Sequence, residues 1–132
     1  MRSVGKLIYS PKTHLSSSEE WAVLMCDEEL VKYYSTLFKK QFPWLPKLQR
    51  PVWGAHISII RGEKIINPDF WGLHDKKYFD FDYEPGVISN GEYYWLKVKC
   101  DALLDLREIY GLNRELKFGL HLTIARSAEI KK

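Results

Sequence analysis

The chain has 132 residues, 45% hydrophobic and 28% charged, and this composition excludes an intrinsically disordered protein. The length suits one domain, so we expect residues 1–132 to form a single domain with a sizeable core. The net charge of only +3 permits an anionic substrate but argues against a protein that coats nucleic acid by charge alone.

The two cysteines, Cys26 and Cys100, each lie inside an apolar run, and no cysteine or histidine spacing of a zinc site is present. We therefore expect two buried free thiols in a reducing compartment. The N-terminus lacks the apolar core of a signal peptide, and no apolar stretch reaches the roughly 20 residues of a membrane span. These features predict a cytoplasmic protein without a membrane partner.

Four elements are predicted in the first half of the chain. Apolar runs and alternation predict strands, and helical spacing after Asp27 predicts a helix with that residue as its N-cap. The apolar face of this helix is formed by Leu30, Val31, Tyr34, Leu37, Phe38 and Phe42. The elements are strands at Val4–Ser10 and Trp21–Cys26, a helix that ends near Pro43, and a strand at Val52–Ile60 after the proline-rich loop Pro43–Pro51.

The second half begins with an irregular stretch, Arg61–Lys77, and a strand at Tyr78–Tyr83. Asn90-Gly91 stands between two strand-like runs and predicts a β-hairpin with a type I′ turn, in which both residues have positive φ. The remaining elements are a helix at Asp101–Asn113, a strand at Lys117–Ala125 and a charged tail at Ser127–Lys132. Without a linker to divide the chain, these elements predict one α+β domain.

Two predicted strands carry the same motif, a histidine followed two residues later by a hydroxyl side chain. His56 is followed by Ser58, and His121 is followed by Thr123. Because side chains alternate across a strand, each histidine shares a face with its hydroxyl, while the apolar neighbours face the other way. Each half of the chain is thus predicted to contain a strand, then a helix, then a strand with a histidine.

Two histidines with hydroxyl partners suit the cleavage of a phosphodiester. Imidazole has an ordinary pKa of about 6.5, so one ring can act as general base while the other, protonated, acts as general acid. The hydroxyls of Ser58 and Thr123 can donate hydrogen bonds to the non-bridging oxygens of the phosphate. No cluster of Asp and Glu accompanies the motifs, so we expect no metal and no other cofactor. His14 and His74 lie in polar segments and are predicted to be surface residues.

The motifs His56–Ser58 and His121–Thr123, with their apolar flanks, resemble those of the 2H phosphoesterase superfamily. The resemblance implies a two-lobed (LigT-like) α+β fold, with antiparallel sheets that line a central groove and helices outside. It also implies metal-independent phosphodiester cleavage by the two histidines. Motif-specific residues number about ten, although the half-repeat spans most of the chain.

The size and the modest charge are similar to those of the compact phage enzymes of this superfamily, which cleave cyclic oligonucleotide messengers of anti-phage (CBASS) systems. The resemblance therefore implies a cyclic di- or trinucleotide substrate with 3′-5′ linkages and, if the chain is phage-encoded, the host cytoplasm as its location. RNA ends with 2′,3′-cyclic phosphates and 2′,5′-oligoadenylate remain alternative substrates. No obligate protein partner is expected.

Nucleobases bind by stacking on aromatic side chains, at about 1–3 kcal/mol per base. The candidates for such stacking are Tyr9, Trp53, Trp71, Tyr93 and Trp95. Tyr9 is preferred because it lies near the end of a strand, and Trp71 is second because it lies in an irregular stretch. Arg61 directly follows the first histidine strand and is predicted to contact a second phosphate.

Two other classes of function remain open. The same groove could capture a cyclic nucleotide without cleaving it, as a sponge does. The histidines could instead hold a metal in a structural domain, although two imidazoles and two hydroxyls are a poor ligand set for Zn²⁺. Which histidine is the base, and which linkage is cleaved, cannot be decided from the residue pattern.

Overall fold

The computed structural model describes residues 1–9, 21–44, 48–49, 54–63, 65–116 and 119–127. Within these ranges the secondary structure is seven strands, two α-helices and one 3₁₀ turn, Pro68–Phe70. The strands are β1 (Arg2–Tyr9), β2 (Trp21–Cys26), β3 (Leu48–Gln49), β4 (His56–Arg61), β5 (Tyr78–Ser89), β6 (Tyr93–Lys99) and β7 (His121–Ser127). The helices are α1 (Glu28–Gln41) and α2 (Asp101–Ile109).

The strands form one antiparallel sheet that closes on itself. Six strands follow one another in the order β7-β4-β2-β1-β5-β6, and β6 pairs with β7 to complete a barrel. The short strand β3 is added beside the end of β7. A six-stranded barrel of this kind leaves few free edges, so the chain avoids the exposed strand edges that promote aggregation.

The barrel is built from two similar halves. Each half contributes two adjacent strands, a helix and a third strand, as β1-β2-α1-β4 and as β5-β6-α2-β7. The halves meet where β1 pairs with β5 and where β4 pairs with β7. An equivalent backbone hydrogen bond forms in each half, to the carbonyl of the residue just before the histidine. Cys26 N–H donates to the carbonyl of Ala55 at 2.8 Å, and Val98 N–H donates to the carbonyl of Leu120 at 3.0 Å. The fold thus repeats the arrangement of strand, helix and histidine strand that the sequence predicts.

Every strand of the barrel has one apolar face, which we call the helix face because both helices pack on it. On this face the ring of Phe38 of α1 lies 5.2 Å from that of Tyr94, and the hydroxyls of Tyr34 and Tyr83 are 3.3 Å apart. The side chains that are fully buried there include Leu7, Leu24, Ile57, Ile59, Leu96, Leu103 and Leu122. Each such burial contributes about 1.5–3 kcal/mol to folding.

The opposite side of the same strands is more polar, and we call it the site face. A helix is about 10 Å across and does not fit inside six strands, so the helix face is the outside of the barrel. The site face is its other side, on which side chains such as Tyr78 and Asp82 are exposed. Register places Lys6, Met25 and His56 side by side on this face, and Ile8, Val23 and Ser58 in the next row.

Helix α1 begins where the sequence predicts. The side chain of Asp27 accepts a hydrogen bond from the backbone N–H of Glu29 and caps the helix. Glu28 and Glu29 lie in the first turn, and Lys39 and Lys40 lie in the last, so the charges complement the helix dipole. Helix α2 is shorter than predicted because Ile109 is its last residue and Gly111, at φ +80°, ends the turn that follows.

The hairpin between β5 and β6 is confirmed, but its predicted type I′ turn is wrong. Asn90 and Tyr93 close the turn through Asn90 N–H, which donates to the carbonyl of Tyr93, and only Gly91 has positive φ. The Asn90 side chain instead accepts hydrogen bonds from the N–H groups of Glu92 and Tyr93. Asparagine therefore acts here as a side-chain cap of the turn and not as a left-handed residue.

Strand β5 continues past the predicted end at Tyr83, with a register shift between Tyr83 and Val87.

Both cysteines are free, Cys100 buried and Cys26 partly buried. No helix in the described ranges is long and apolar enough to cross a membrane. Several predicted features lie outside the described residues, namely the loop before Trp21 with His14, the start of the strand at Val52–Ile60 with Trp53, and the tail after Ser127.

Candidate active site

The two histidine motifs lie on neighbouring strands. Ile57 of β4 pairs with Leu122 of β7, both fully buried on the helix face. In an antiparallel pair this register, extended one residue each way, sets His56 opposite Thr123 and Ser58 opposite His121. All four side chains then share the site face and are partly buried. Each hydroxyl accordingly has the histidine of the other strand as its cross-strand neighbour.

The two imidazoles are diagonal neighbours in this arrangement. Diagonal positions in an antiparallel pair are about 7–8 Å apart, a gap in which a tetrahedral phosphate fits between two rings. The charge on His121 is one of the smaller causes that lower the pKa of His56. The structure thus brings together the four residues that the sequence singles out for catalysis.

Both histidines are held by the same backbone contact. His56 Nδ1 lies 3.0 Å from the carbonyl oxygen of Gly54, and His121 Nδ1 lies 3.0 Å from that of Gly119. A carbonyl can only accept, so Nδ1 carries the proton and Nε2 is the basic nitrogen of each neutral ring. The two glycines adopt positive φ, +77° and +66°, which turns each carbonyl back toward the ring.

A carboxylate supports the first of these turns. Glu28, the first residue of α1, accepts a hydrogen bond from the N–H of Ala55, and its carboxylate lies where a Cβ on Gly54 would contact it at 3.0 Å. This contact ties the start of α1 to the residue just before His56. No local pattern points to Glu28, because 27 residues separate it from Ala55.

The pKa of His56 is lower than that of an ordinary histidine. Burial is the main cause, and the positive charges of Arg61 and His121 lower the pKa further. The hydrogen bond to Gly54 and the charge of Glu28 act in the opposite direction. His56 is therefore neutral at neutral pH and able to accept a proton.

A tryptophan accompanies each histidine. The ring of Trp21 meets that of His56 edge-on at 6.4 Å, and the ring of Trp95 is tilted against that of His121 at 5.8 Å. Trp95 also lies opposite Thr123 across β6 and β7. Trp95 was among the predicted stacking residues, whereas Trp21 was assigned only to a buried strand.

Lys97 is a further site residue that sequence reasoning missed. It lies opposite His121 on the site face, and its side chain is exposed. Lys97 therefore contributes a positive charge on the strand next to His121. The alternation of Tyr93, Trp95, Lys97 and Lys99 along β6 was a usable signal, since these residues share one face.

A cavity of about 440 Å³ opens beside the two motifs, and Ser58, Arg61 and His121 are among the residues that line it. Arg61 lies over the ring of Trp21, 5.6 Å from its centroid. Arg61 thus lies beside the motifs, and its contact with a second phosphate stays a prediction. The described residues contain no group of three or more His, Cys, Asp or Glu side chains that could hold a metal ion.

Tyr9 and Trp71 lie elsewhere, which corrects their predicted role in substrate binding. Tyr9 is opposite Ala22 on the helix face, where its hydroxyl donates to the carbonyl of Leu73 at 2.7 Å and lies 2.8 Å from the hydroxyl of Tyr110. Its ring meets that of Trp71 edge-on at 4.8 Å. Burial raises the pKa of the Tyr9 hydroxyl. Both side chains pack around the end of α2 on the outside of the barrel.

No family model matches this chain, and no curated protein or solved structure shows significant similarity to it.

Proposed function

We propose that the protein is a metal-independent phosphodiesterase in which two histidines act as general base and general acid. The observation that carries this proposal is the pair of imidazoles on adjacent strands, each with its Nδ1 fixed by a glycine carbonyl. A histidine with a structural role alone would not need the same positive-φ glycine two residues before it in both halves. The fold that we propose is that of the 2H phosphoesterase superfamily, a view supported by the repeated halves.

His56 is the base in the proposed reaction, because its lowered pKa keeps it neutral. Nε2 of His56 takes a proton from the attacking oxygen, a ribose 2′-hydroxyl or a water. The attacking oxygen forms a bond to phosphorus as the bond to the leaving oxygen breaks on the opposite side. Protonated His121 gives its proton to that leaving oxygen, so the two rings exchange their protonation states in each turnover.

Charge on the phosphate is stabilised by groups on both strands. The hydroxyls of Ser58 and Thr123 donate hydrogen bonds to the non-bridging oxygens, whose negative charge rises in the transition state. Lys97 adds a positive charge beside His121. Neither hydroxyl acts as a nucleophile, and no step needs a cofactor.

The proposed substrates are cyclic oligonucleotides with 3′-5′ linkages, cleaved as a counter-defence by a phage in the host cytoplasm. Trp95 beside His121 is only partly buried and supplies a stacking surface for a base. The free thiols of Cys26 and Cys100 support a reducing compartment. RNA 2′,3′-cyclic phosphates and 2′,5′-oligoadenylate are the alternative substrates of the same chemistry.

The experiment is incubation of the purified protein with a panel of nucleotides in the presence of EDTA. The panel contains cyclic dinucleotides, cyclic trinucleotides, linear 2′,5′-oligoadenylate and 2′,3′-cyclic nucleotides, and chromatography identifies the products. Cleavage that is lost in His56→Ala and in His121→Ala but retained in His74→Asn supports the proposal. Recovery of every ligand intact from a complex with the protein would instead identify a sponge.

His74 is a suitable control because it is exposed and its ring contacts Phe79 of the helix face, 6.2 Å away. Asparagine is chosen for this position because His74 has φ +63°, a conformation that asparagine tolerates. Full activity in either His56→Ala or His121→Ala would refute the two-histidine mechanism.

A further inference from the structure

The two halves of the site end in the same way, with an arginine. In β4 the register with β2 shifts after Ser58, and in β7 the register with β6 shifts after Thr123. Each shift is a β-bulge that adds one residue, and an arginine follows three residues after the hydroxyl in both strands. Arg61 and Arg126 therefore occupy equivalent places at opposite ends of the site face.

The bulges decide which way these arginines point. Without a bulge, a residue three positions after Ser58 or Thr123 would lie on the helix face. With one extra residue in each strand, Arg61 lies opposite Trp21 and Arg126 lies opposite Tyr93, both on the site face. Two residues that follow each hydroxyl are buried instead, Ile59 and Ile60 in one strand and Ile124 and Ala125 in the other.

Arg61 already acts on the catalytic centre. Its positive charge lowers the pKa of His56, and it lines the same cavity as Ser58 and His121. Glu63 also lines this cavity, but both of its oxygens accept hydrogen bonds from Arg107, at 2.6 and 2.8 Å. The Glu63 charge is thus compensated by Arg107, and Arg61 is an exposed residue at the edge of the cavity.

Arg126 lies at the other end, where it pairs with Tyr93 on one side and with Gln49 of β3 on the other. Its Nε is buried and has no hydrogen-bond partner among the residues that the structure describes. A buried donor without a partner costs free energy, more so in a charged group. A phosphate bound by the guanidinium at this end of the site would offset that cost.

We propose that Arg61 and Arg126 each bind a phosphate that flanks the one being cleaved. The bulge takes up one of the three residues, so each arginine lies two strand positions, about 7 Å, beyond the hydroxyl, which is about one nucleotide along the site face. Guanidinium binds phosphate oxygens through two parallel hydrogen bonds, which makes arginine the suited residue for this task. The inference rests on the proposed phosphodiesterase function and adds to it the class of substrate.

That substrate is an internal linkage of an oligonucleotide with a phosphate on both sides. A cyclic trinucleotide and the internal bonds of a linear oligonucleotide meet the condition. A 2′,3′-cyclic mononucleotide does not, because its one phosphate occupies the centre and leaves both arginines without a ligand. The approximate symmetry of the two ends also fits a ligand whose flanking groups are chemically alike.

The test is a series of four linear dinucleotides that share one 3′-5′ linkage and carry no terminal phosphate, a 5′-phosphate, a 3′-phosphate or both. For the wild-type protein we expect each terminal phosphate to raise kcat/KM about tenfold or more, as a charge-assisted hydrogen bond does. In Arg61→Gln the gain from one of the two phosphates disappears, and in Arg126→Gln the gain from the other disappears. Each gain is measured as a ratio within one variant.

Arg114→Gln is the matched control, because Arg114 forms ion pairs with Asp101, Asp105 and Glu108 near α2 and should leave both gains unchanged. Equal kcat/KM for all four dinucleotides in the wild type would overturn the flanking-phosphate proposal and leave the phosphodiesterase standing. Loss of the same gain in both arginine variants would overturn the two-ended arrangement. No cleavage of any of the four, together with none of the nucleotide panel, would overturn the proposed function itself.

Discussion

Ile57 of β4 lies opposite Leu122 of β7, and the burial of this apolar pair fixes the face on which the flanking histidines and hydroxyls lie. Because side chains alternate along a strand, burial of these two residues against the helices sends both histidines and both hydroxyls to the site face. A slip of one residue would bury the imidazoles on the helix face instead. The packing of the core and the geometry of the site therefore have the same origin.

The first prediction concerns the two histidines. We expect His56→Ala and His121→Ala each to lower kcat by about 10²–10⁴-fold, the usual contribution of a general acid or base. Both rings are only partly buried, so the melting temperature should change little. Steady-state kinetics with thermal denaturation of each variant checks this. A loss of activity that parallels a loss of folded protein would contradict a catalytic role.

The second prediction is a pH profile with a bell shape, in which the acidic limb reports His56. Its pKa is lowered chiefly by burial, so kcat/KM should fall only below the ordinary histidine range of about 6.5. Arg61→Gln removes a nearby positive charge, which favours protonated His56 and moves the acidic limb to higher pH. Glu28→Gln removes a negative charge and moves it to lower pH. Identical acidic limbs in the wild type and both variants would argue against His56 as the base.

The third prediction separates the hydroxyls from the imidazoles. Ser58→Ala and Thr123→Val each remove one donor to the phosphate oxygens, so we expect kcat to fall by about 10²–10³-fold with the pH profile unchanged. Thr123→Ser retains the hydroxyl and should keep most of the activity. Kinetics of these three variants across pH provides the measurement. If Thr123→Ser were as inactive as Thr123→Val, the methyl group and not the hydroxyl would be the important feature.

Local signals were sufficient to select the four residues that we propose for catalysis. The motif with period two places His56 and Ser58 on one face, and His121 and Thr123 on one face, without knowledge of the fold. The repeated order of strand, helix and histidine strand also follows from local patterns. That β4 pairs with β7 could not be read from the sequence, because the pairing is long-range and depends on how the two halves meet.

The same limit explains the failure at Tyr9. The strand of Tyr9 alternates only loosely between apolar and polar residues, so the sequence does not show which face of the strand Tyr9 occupies. In the structure Leu7 and Tyr9 both lie on the helix face. Arg126 was missed for a different reason. The spacing from Thr123 to Arg126 equals that from Ser58 to Arg61. Only with a β-bulge, however, does this spacing place the arginine on the same face of the strand as the hydroxyl.

The fourth prediction concerns the ion pair that supports β4 from α2. Arg107 is 2% exposed and donates to the carbonyls of Ile59 and Asn113 as well as to Glu63. We expect Arg107→Met to lower the free energy of unfolding by about 3–5 kcal/mol, because Glu63 and the carbonyls lose their partner. Arg114→Met, at an exposed group of ion pairs, should cost far less. Chemical denaturation compares the two, and equal losses would contradict the assigned role of Arg107.

Glu63 adds a pH dependence to this prediction. Its hydrogen bonds to Arg107 lower its pKa below the ordinary value, so its stabilising effect is complete above the unfolded pKa of about 4.5. The effect is lost as the pH falls from there through the folded pKa. Denaturation of Glu63→Gln at a series of pH values should therefore show a weaker loss of stability in acid than the wild type. Parallel curves would show that Glu63 is not the group responsible.

The last prediction tests the glycines that orient the histidines. Gly119 has φ +66° and open space around its missing Cβ, so Gly119→Ala costs only the backbone strain, about 1–2 kcal/mol. Relief of that strain would turn the carbonyl away from His121 Nδ1, so we expect kcat to fall. Gly119→Asn should retain more activity, because asparagine tolerates a left-handed backbone. Gly54→Ala should cost more than Gly119→Ala, since its Cβ also meets the carboxylate of Glu28 at 3.0 Å. Kinetics and denaturation of the three variants decide the matter, and full activity in Gly119→Ala would show that the carbonyl contact is dispensable.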